Sequence, residues 1–417
     1  MNDRAVKFRL ILLSFLQYAA WGAYLPSLGR FLTGAGLGSY IKWIFAAQSI
    51  SALFMPALVG SLADRRFQKQ RLLSLCHFIS GALMLVSGLY CTLCADFGIG
   101  LLFVLLAVSM AVYIPTISLS NSVSFQVIVR AGGDTVRDFP SIRMFGTLGF
   151  VISMLATNFL SVDGVRFQNS GMQLVLSGVL SLILAAYSLS LPQCLPDVDV
   201  QPGKSDAKPL FSLLRGQVGL FFLFSVFIGA VMKIGDGYAN AFMGSFASDP
   251  IYADTFAVKN SNALLAVSQM SETFCILLIP FCMKRFGIKK VMLISMAAWI
   301  LRFLLFGLGT PAMPGVLLFV LSCLVYGVAF DFFNISGSLF IEKNVGSDMR
   351  ARAQGAFILM TNGLGALIGT LAAGFVMDAL VYKTDVPDWS MAWFIFAGYV
   401  AVLAVVFAIF FKEPESE

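Results

Sequence analysis

Charge is what this chain has least of. Only 12% of its 417 residues are Asp, Glu, Lys or Arg, about half the share found in an ordinary soluble domain. No polar interval between its apolar runs exceeds about 30 residues, too short to fold around a core of its own. Histidine is almost absent: His77 stands alone, follows a basic loop at the start of an apolar run, and reads as structural. The seven cysteines are Cys76, Cys91, Cys94, Cys194, Cys275, Cys282 and Cys323. Cys91 and Cys94 form a lone C-x-x-C without the second pair that a zinc site needs. Most of the others lie in or beside apolar runs, where a thiol behaves as a small hydrophobe. With no metal-ligand cluster and no nucleophile motif, the chain is not expected to be an enzyme. The net charge of +6 could suggest nucleic acid. The basic residues, however, sit at the ends of apolar runs, where they set membrane topology, so no nucleic-acid partner is expected.

What the chain has in abundance is apolar length, with 59% hydrophobic residues. A membrane span takes about 20 such residues. On that scale twelve spans are expected, at about 8–30, 41–63, 71–94, 98–122, 140–162, 170–191, 217–246, 258–283, 288–309, 314–341, 350–378 and 389–411. The first follows Arg4, Lys7 and Arg9 and resembles a signal peptide, but no small-residue cleavage site stands out. It is read as a retained helix. With both termini on one side, the loop Lys and Arg residues divide twenty to five in favour of that side. The five are Arg30, Lys42, Arg166, Lys259 and Lys383. Both termini are therefore expected in the cytoplasm.

The longest polar connection, rich in Pro, Asp, Lys and Ser, follows the sixth span. It divides the chain into an N-terminal six-helix bundle (1–191), a cytoplasmic linker (192–216), a C-terminal six-helix bundle (217–411) and a short cytoplasmic tail (412–417). Each half carries a basic loop after its second span, Asp64-Arg65-Arg66 to Arg71 in one and Lys284-Arg285 to Lys290 in the other. Paired halves of this kind are a transporter signature, with the site expected near the bilayer midplane. Pro26, Pro56, Pro115 and Pro280 fall inside spans and favour bends. Gly365-x-x-x-Gly369 with Gly363, Ala373 and Gly374 makes a small-residue face suited to close helix contact.

Six ionisable residues fall well inside spans: Arg143, Lys233 and Arg302, and Asp236, Glu272 and Asp331. Lipid does not solvate charge, and an Asp at a helix centre costs about 2.5–3.5 kcal/mol on insertion scales. Such a residue is a functional candidate or one half of a structural ion pair. Asp331 lies in Tyr326–Ser338, YGVAFDFFNISGS, with Phe330, Phe332 and Phe333 around it and Asn334 close by. Arg143, Thr147 and Phe150 are spaced i, i+4, i+7 and share one helix face, showing a cation, a hydroxyl and a ring. Arg143 could also snorkel outward from its place one turn into the span. Gln269 and Glu272, at i, i+3, combine an amide that donates and accepts with a carboxylate that accepts or carries a proton. Lys233 and Asp236 have the same spacing and can pair with each other, or Lys233 with Glu272. Arg302 reads as a structural partner. Burial and neighbouring cations push a carboxyl group's proton affinity in opposite directions. Asp331 and Glu272 are therefore the candidates for proton coupling. The rings of Phe330, Phe332, Phe150 and Phe145 near amides and carboxylates suit a ligand with a ring and a hydroxylated part, a sugar or a nucleoside.

Two six-span halves with Gly60-x-x-x-Asp64-Arg65 after the second span resemble the major facilitator superfamily. More narrowly, the chain resembles its nucleoside:proton symporter family of bacterial inner membranes, nearly end to end. The resemblance rests on Ser14-Phe-Leu-Gln17, Asp138-Phe-Pro-Ser-Ile-Arg143 with Gly146-Thr147, and Ser268-Gln269-Met-Ser-Glu272. It continues in Ala298-Trp-Ile-Leu-Arg302-Phe and Ala329-Phe-Asp331-Phe-Phe-Asn334-Ile-Ser-Gly. It implies an all-α integral membrane protein with twelve helices in two pseudo-symmetric six-helix bundles, importing purine or pyrimidine nucleosides with protons by alternating access. It places Arg143, Thr147, Phe150, Gln269, Glu272, Phe330 and Asp331 around ligand or coupling. Asn334, Lys233 and Asp236 join the candidate ligand set, and Gly60, Asp64 and Arg65 are the candidate gating motif. No cofactor is expected, since the proton gradient drives transport. The expected partners are nucleoside, protons and the lipid bilayer, with the protein working as a monomer. The family pattern has amide side chains where this chain has Lys233 and Asp236, which puts the range of nucleosides in question. A facilitator-type symporter for a sugar or another polar ring-bearing solute is the alternative.

Overall fold

The computed structural model describes residues 4–65, 67–94, 96–194, 215–346 and 349–412. Most of the expected linker, the tail from 413 onward, and the side chains of Asp64, Arg65 and Asp236 lie outside the described residues. Among the described residues the secondary structure is helical apart from a short hairpin, β1 (Ser161–Val162) with β2 (Val165–Arg166).

Among the described residues, eleven helical runs are long and apolar enough to cross a membrane. The longest, Ser261–Leu308, is two helices: Gly287 interrupts it with φ 77° and ψ 172°. That left-handed backbone suits glycine, which has no Cβ to clash. The break falls in the basic stretch after Met283, so the expected twelve spans are present. Large apolar side chains such as Phe54, Leu58, Phe274 and Leu277 stand exposed on these helices. In water such surfaces would be a liability, whereas lipid solvates them.

The chain divides into two compact units. The first comprises residues 1–37 and 50–203, the second residues 38–49 and 204–417. The first unit holds α1 (Arg4–Gly22), α2 (Leu25–Gly34), the later part of α3 (Ile41–Arg65), α4 (Lys69–Leu93), α5 (Ile99–Arg130), α6 (Thr135–Phe159) and α7 (Met172–Leu189). The first span breaks between α1 and α2, just before Pro26, which lacks the N–H that a continuous helix would use. Pro56, Pro115 and Pro280 sit inside helices without a comparable interruption. α1 packs against α6 and α4 against α7. The α1–α6 approach is close because it uses glycines. A Cβ on Gly22 would lie 2.5 Å from the Phe150 carbonyl oxygen, and one on Gly149 would overlap Phe15.

The second unit contains α8 (Gly216–Ser245), the short α9 (Phe256–Lys259), α10 (Ser261–Leu308) and α11 (Val316–Asn344). It ends with α12 (Arg350–Ile358), α13 (Ala366–Met377) and α14 (Trp389–Phe410). Wider i→i+5 turns at Leu359–Gly365 and Asp378–Tyr382 flank α13. The small-residue face of this span packs on α8, as its composition predicts: Gly365 and Gly369 lie against the Val226 and Ala230 carbonyls. α14 starts at a capped turn, where the Asp388 carboxylate accepts the Met391 amide at 2.9 Å.

Candidate ligand and proton site

In the first unit, α6 presents Arg143, Thr147 and Phe150, all half-buried. The Arg143 guanidinium lies over the Tyr18 ring of α1, 3.8 Å from its centroid. A cation held on a ring face is attracted by the ring quadrupole, so Arg143 is anchored inside the bundle by Tyr18. Phe150 meets Trp21 edge to face at 6.3 Å, and Trp21 also neighbours Tyr18 and Tyr113. Behind this aromatic wall is a buried polar network. Gln17 donates its amide to the Thr116 hydroxyl at 2.8 Å and lies 2.8 Å, through Oε1, from His77 Nε2. The Tyr113 hydroxyl donates to the Gln17 carbonyl. An amide oxygen only accepts, so His77 donates to it through Nε2. The lone histidine is thus a tie between α1, α4 and α5.

In the second unit, α10 and α11 approach closely. A Cβ on Gly327 would come within 2.6 Å of the Ser271 carbonyl oxygen. The Ser271 hydroxyl donates to the Leu324 carbonyl and accepts the Gly327 amide at 3.3 Å. These bonds fix Ser271, and with it the neighbouring Glu272, against the turn of α11 that leads to Asp331. The structure places Asp331 with 6% of its surface exposed. Its Oδ2 is enclosed and has no hydrogen-bond partner among the described residues. Glu272, half-buried, is near enough for its charge to act on Asp331. Gln269, one turn before Glu272 on α10, is also half-buried.

Phe330 is half-buried and stacks on Tyr326, with ring centroids 5.6 Å apart and planes 21° from parallel. Arg302 backs that stack. It is 3% exposed, donates to the Ser322 carbonyl at 2.8 Å, and holds its guanidinium 4.6 Å from the Tyr326 centroid. Its sequence reading as a structural partner agrees with these contacts. Tyr326, not singled out from the sequence as a site residue, precedes Phe330 by one helical turn. That i, i+4 spacing was the available signal for an aromatic platform. Tyr18 gave no comparable signal, because its role depends on α6 packing across it.

Other sequence-predicted residues fall in varied places. Asn334 is half-buried and donates to the Phe330 carbonyl at 3.0 Å, with its amide 4.0 Å from the Met232 sulfur of α8. Lys233 follows Met232 and is half-buried; Asp236 is one turn further along α8. Phe332 does not join the polar face. It is buried against Ile279 and Val291, because it points to the opposite side of α11 from Phe330. Gly60 lies in α3 with open space where a Cβ would project. Among the described residues, no three His, Cys, Asp or Glu side chains gather in a way that could hold a metal ion.

A family model described as nucleoside H+ symporter matches residues 4–416. The chain is 41% identical to the xanthosine permease of Escherichia coli over 426 residues, covering 99% of this chain and 98% of that protein. It is 40% identical to the nucleoside permease NupG of the same organism over 416 residues, covering 98% of this chain and 96% of that protein. A crystal structure of the nucleoside transporter NupG superposes with a TM-score of 0.87 at 38% identity, covering 99% of this chain and all of that one. A bacterial homologue of the lysosomal transporter Spinster, at 17% identity and a TM-score of 0.67, shares the fold.

Proposed function

The chain belongs to the nucleoside–proton symporter family, and from that premise we propose that it carries purine or pyrimidine nucleosides, with protons, into the bacterial cell across the inner membrane by alternating access. The observation that carries the coupling half of this reading is the carboxyl of Asp331. It is enclosed at membrane depth beside a second acid, with an oxygen that no described group engages. Ionisable groups kept inside a membrane mark proton and substrate paths. Asp331 takes up the proton, and Glu272 adjusts how firmly it is held.

Ligand recognition follows from the chemistry of the remaining groups. Gln269 offers both hydrogen-bond senses to a base edge or a ribose hydroxyl. The Tyr326–Phe330 stack and Phe150 offer flat faces to a planar ring. Arg143 and Thr147 offer donors, with the cation positioned by Tyr18. Asn334, Lys233 and Asp236 complete the ligand-facing set, and Gly60, Asp64 and Arg65 form the gating motif. The halves 1–191 and 217–411, joined by the linker 192–216 and followed by the tail 412–417, move as the two bodies of the cycle. Both termini are cytoplasmic, in accord with the Lys and Arg bias. The carrier works as a monomer and needs no cofactor, drawing on the proton gradient.

Competition for labelled uridine uptake tests the substrate class. Unlabelled nucleosides are expected to suppress uptake. Sugars at equal concentration are expected to leave it unchanged, and the reverse order would favour a sugar symporter. The same panel applied to Lys233→Gln is expected to reorder the nucleosides and move the pH profile. An identical order and profile would remove Lys233 from the specificity set.

A further inference from the structure

We propose that Lys42, Asp378 and Lys383 form a releasable latch, in which Asp378, paired with both lysines, gives up the buried one and keeps the exposed one as the start of α3 leaves its seat in the second unit. The latch extends the transport reading to the conformational cycle, but it rests on different residues.

Lys42 lies in the first turn of α3, and its side chain is 4% exposed. It pairs with the Asp378 carboxylate, itself 8% exposed, in the wide turn after α13. The ammonium also lies 4.8 Å from the Phe375 ring centroid and 5.8 Å from that of Trp43. A lysine out of water among rings is tolerated only while a counter-charge stays with it, and removing one partner of such a pair is strongly unfavourable. The pair therefore holds the start of α3 in place.

The steric fit is equally specific. A Cβ on Gly374 would overlap the methylenes of Lys42, and one on Gly38 would overlap the Tyr382 ring. Gly237 of α8 leaves room for Ile41, whose methyl would sit 3.1 Å from an added Cβ. Residues 38–49 are thus inserted into the second unit, while α3 from Ile50 onward belongs to the first. One helix is shared by two compact bodies, and its inserted end is tied by a buried charge pair.

Release is made feasible by Lys383. It is 64% exposed, and its ammonium lies 2.7 Å from the same Asp378 oxygen that Lys42 engages. When Lys42 withdraws into water, Asp378 keeps a cation, so neither state leaves a bare carboxylate in apolar surroundings.

The test reads exposure directly and needs no substrate, so its failure would not bear on the nucleoside assignment. In full-length transporter freed of its native cysteines and reconstituted in liposomes, Ala46→Cys places a thiol at a buried position on the inserted segment. The probe is a water-soluble maleimide. Lys42→Met and Asp378→Asn are each expected to raise its labelling rate by ~10-fold or more, the fold-change of a displaced two-state equilibrium. The exchanged pair, Lys42→Asp with Asp378→Lys, made together with Lys383→Ala so that two lysines do not face each other, is expected to return it to within ~3-fold of the parent, since the charges at 42 and 378 again attract. Lys383→Ala, at an exposed position, is expected to slow labelling by ~2-fold or more because the released state loses its cation. Single variants labelled at the parent rate would overturn the latch, as would an exchanged pair that folds but stays fast. Should the single variants fail to insert, Lys383→Ala decides: unchanged or faster labelling would overturn it.

Discussion

Asp331→Asn is expected to abolish accumulation of nucleoside against its gradient while leaving the protein inserted and able to bind. The amide keeps the volume and the polarity of the side chain but carries no titrating proton. With an imposed gradient of two pH units and one proton per substrate, the driving force is about 2.7 kcal/mol, enough for ~100-fold accumulation. In the variant the internal concentration is expected to stop at the external one. Exchange of labelled for unlabelled nucleoside across liposomes should persist, because exchange needs no net proton movement. Full concentrative uptake by Asp331→Asn would remove this carboxyl from coupling.

Gln269→Ala should act on affinity instead. The side chain stands one turn from Glu272 on the helix that Ser271 fastens to α11, so its loss leaves the backbone frame in place. Removing one partner of a hydrogen bond made out of water costs ~1–3 kcal/mol, which is ~5- to 150-fold in dissociation constant. Calorimetry with uridine is expected to show that weakening with the heat of binding reduced. Unchanged affinity would take Gln269 out of the ligand set. The two substitutions separate the roles proposed for neighbouring helices: one stops the coupling while binding persists, and the other loosens binding with coupling intact.

Much of this arrangement was legible in the residues. Span number followed from apolar length, since a helix of about 20 residues is what a bilayer demands. The polar face of α6 followed from the i, i+4, i+7 spacing of Arg143, Thr147 and Phe150, and the prominence of Asp331 from the cost of placing a charge among phenylalanines. Three things were hidden, all for the same reason: they depend on partners far apart in the chain. Phe332 resembles Phe330 in sequence, yet faces the core near Ile279 and Val291. Arg143 could have snorkelled to the interface, and only the position of Tyr18 under its guanidinium shows otherwise. Lys42 counted as one more basic residue at the end of a span, although its charge is met by Asp378, more than 330 residues later. Periodicity reports which face of a helix is polar; it does not report which helix arrives to meet that face.

In this mechanism protons enter with nucleoside through buried Asp331 and its half-buried neighbour Glu272. That coupling is tested most directly by following proton movement itself. Liposomes containing the transporter and an internal pH dye, with no imposed gradient, receive an inward gradient of uridine. The expected result is internal acidification that starts with uridine, is absent with a sugar, and vanishes in Asp331→Asn. Uridine entry without any change in internal pH, in a transporter whose uptake is otherwise intact, would contradict the coupling mechanism.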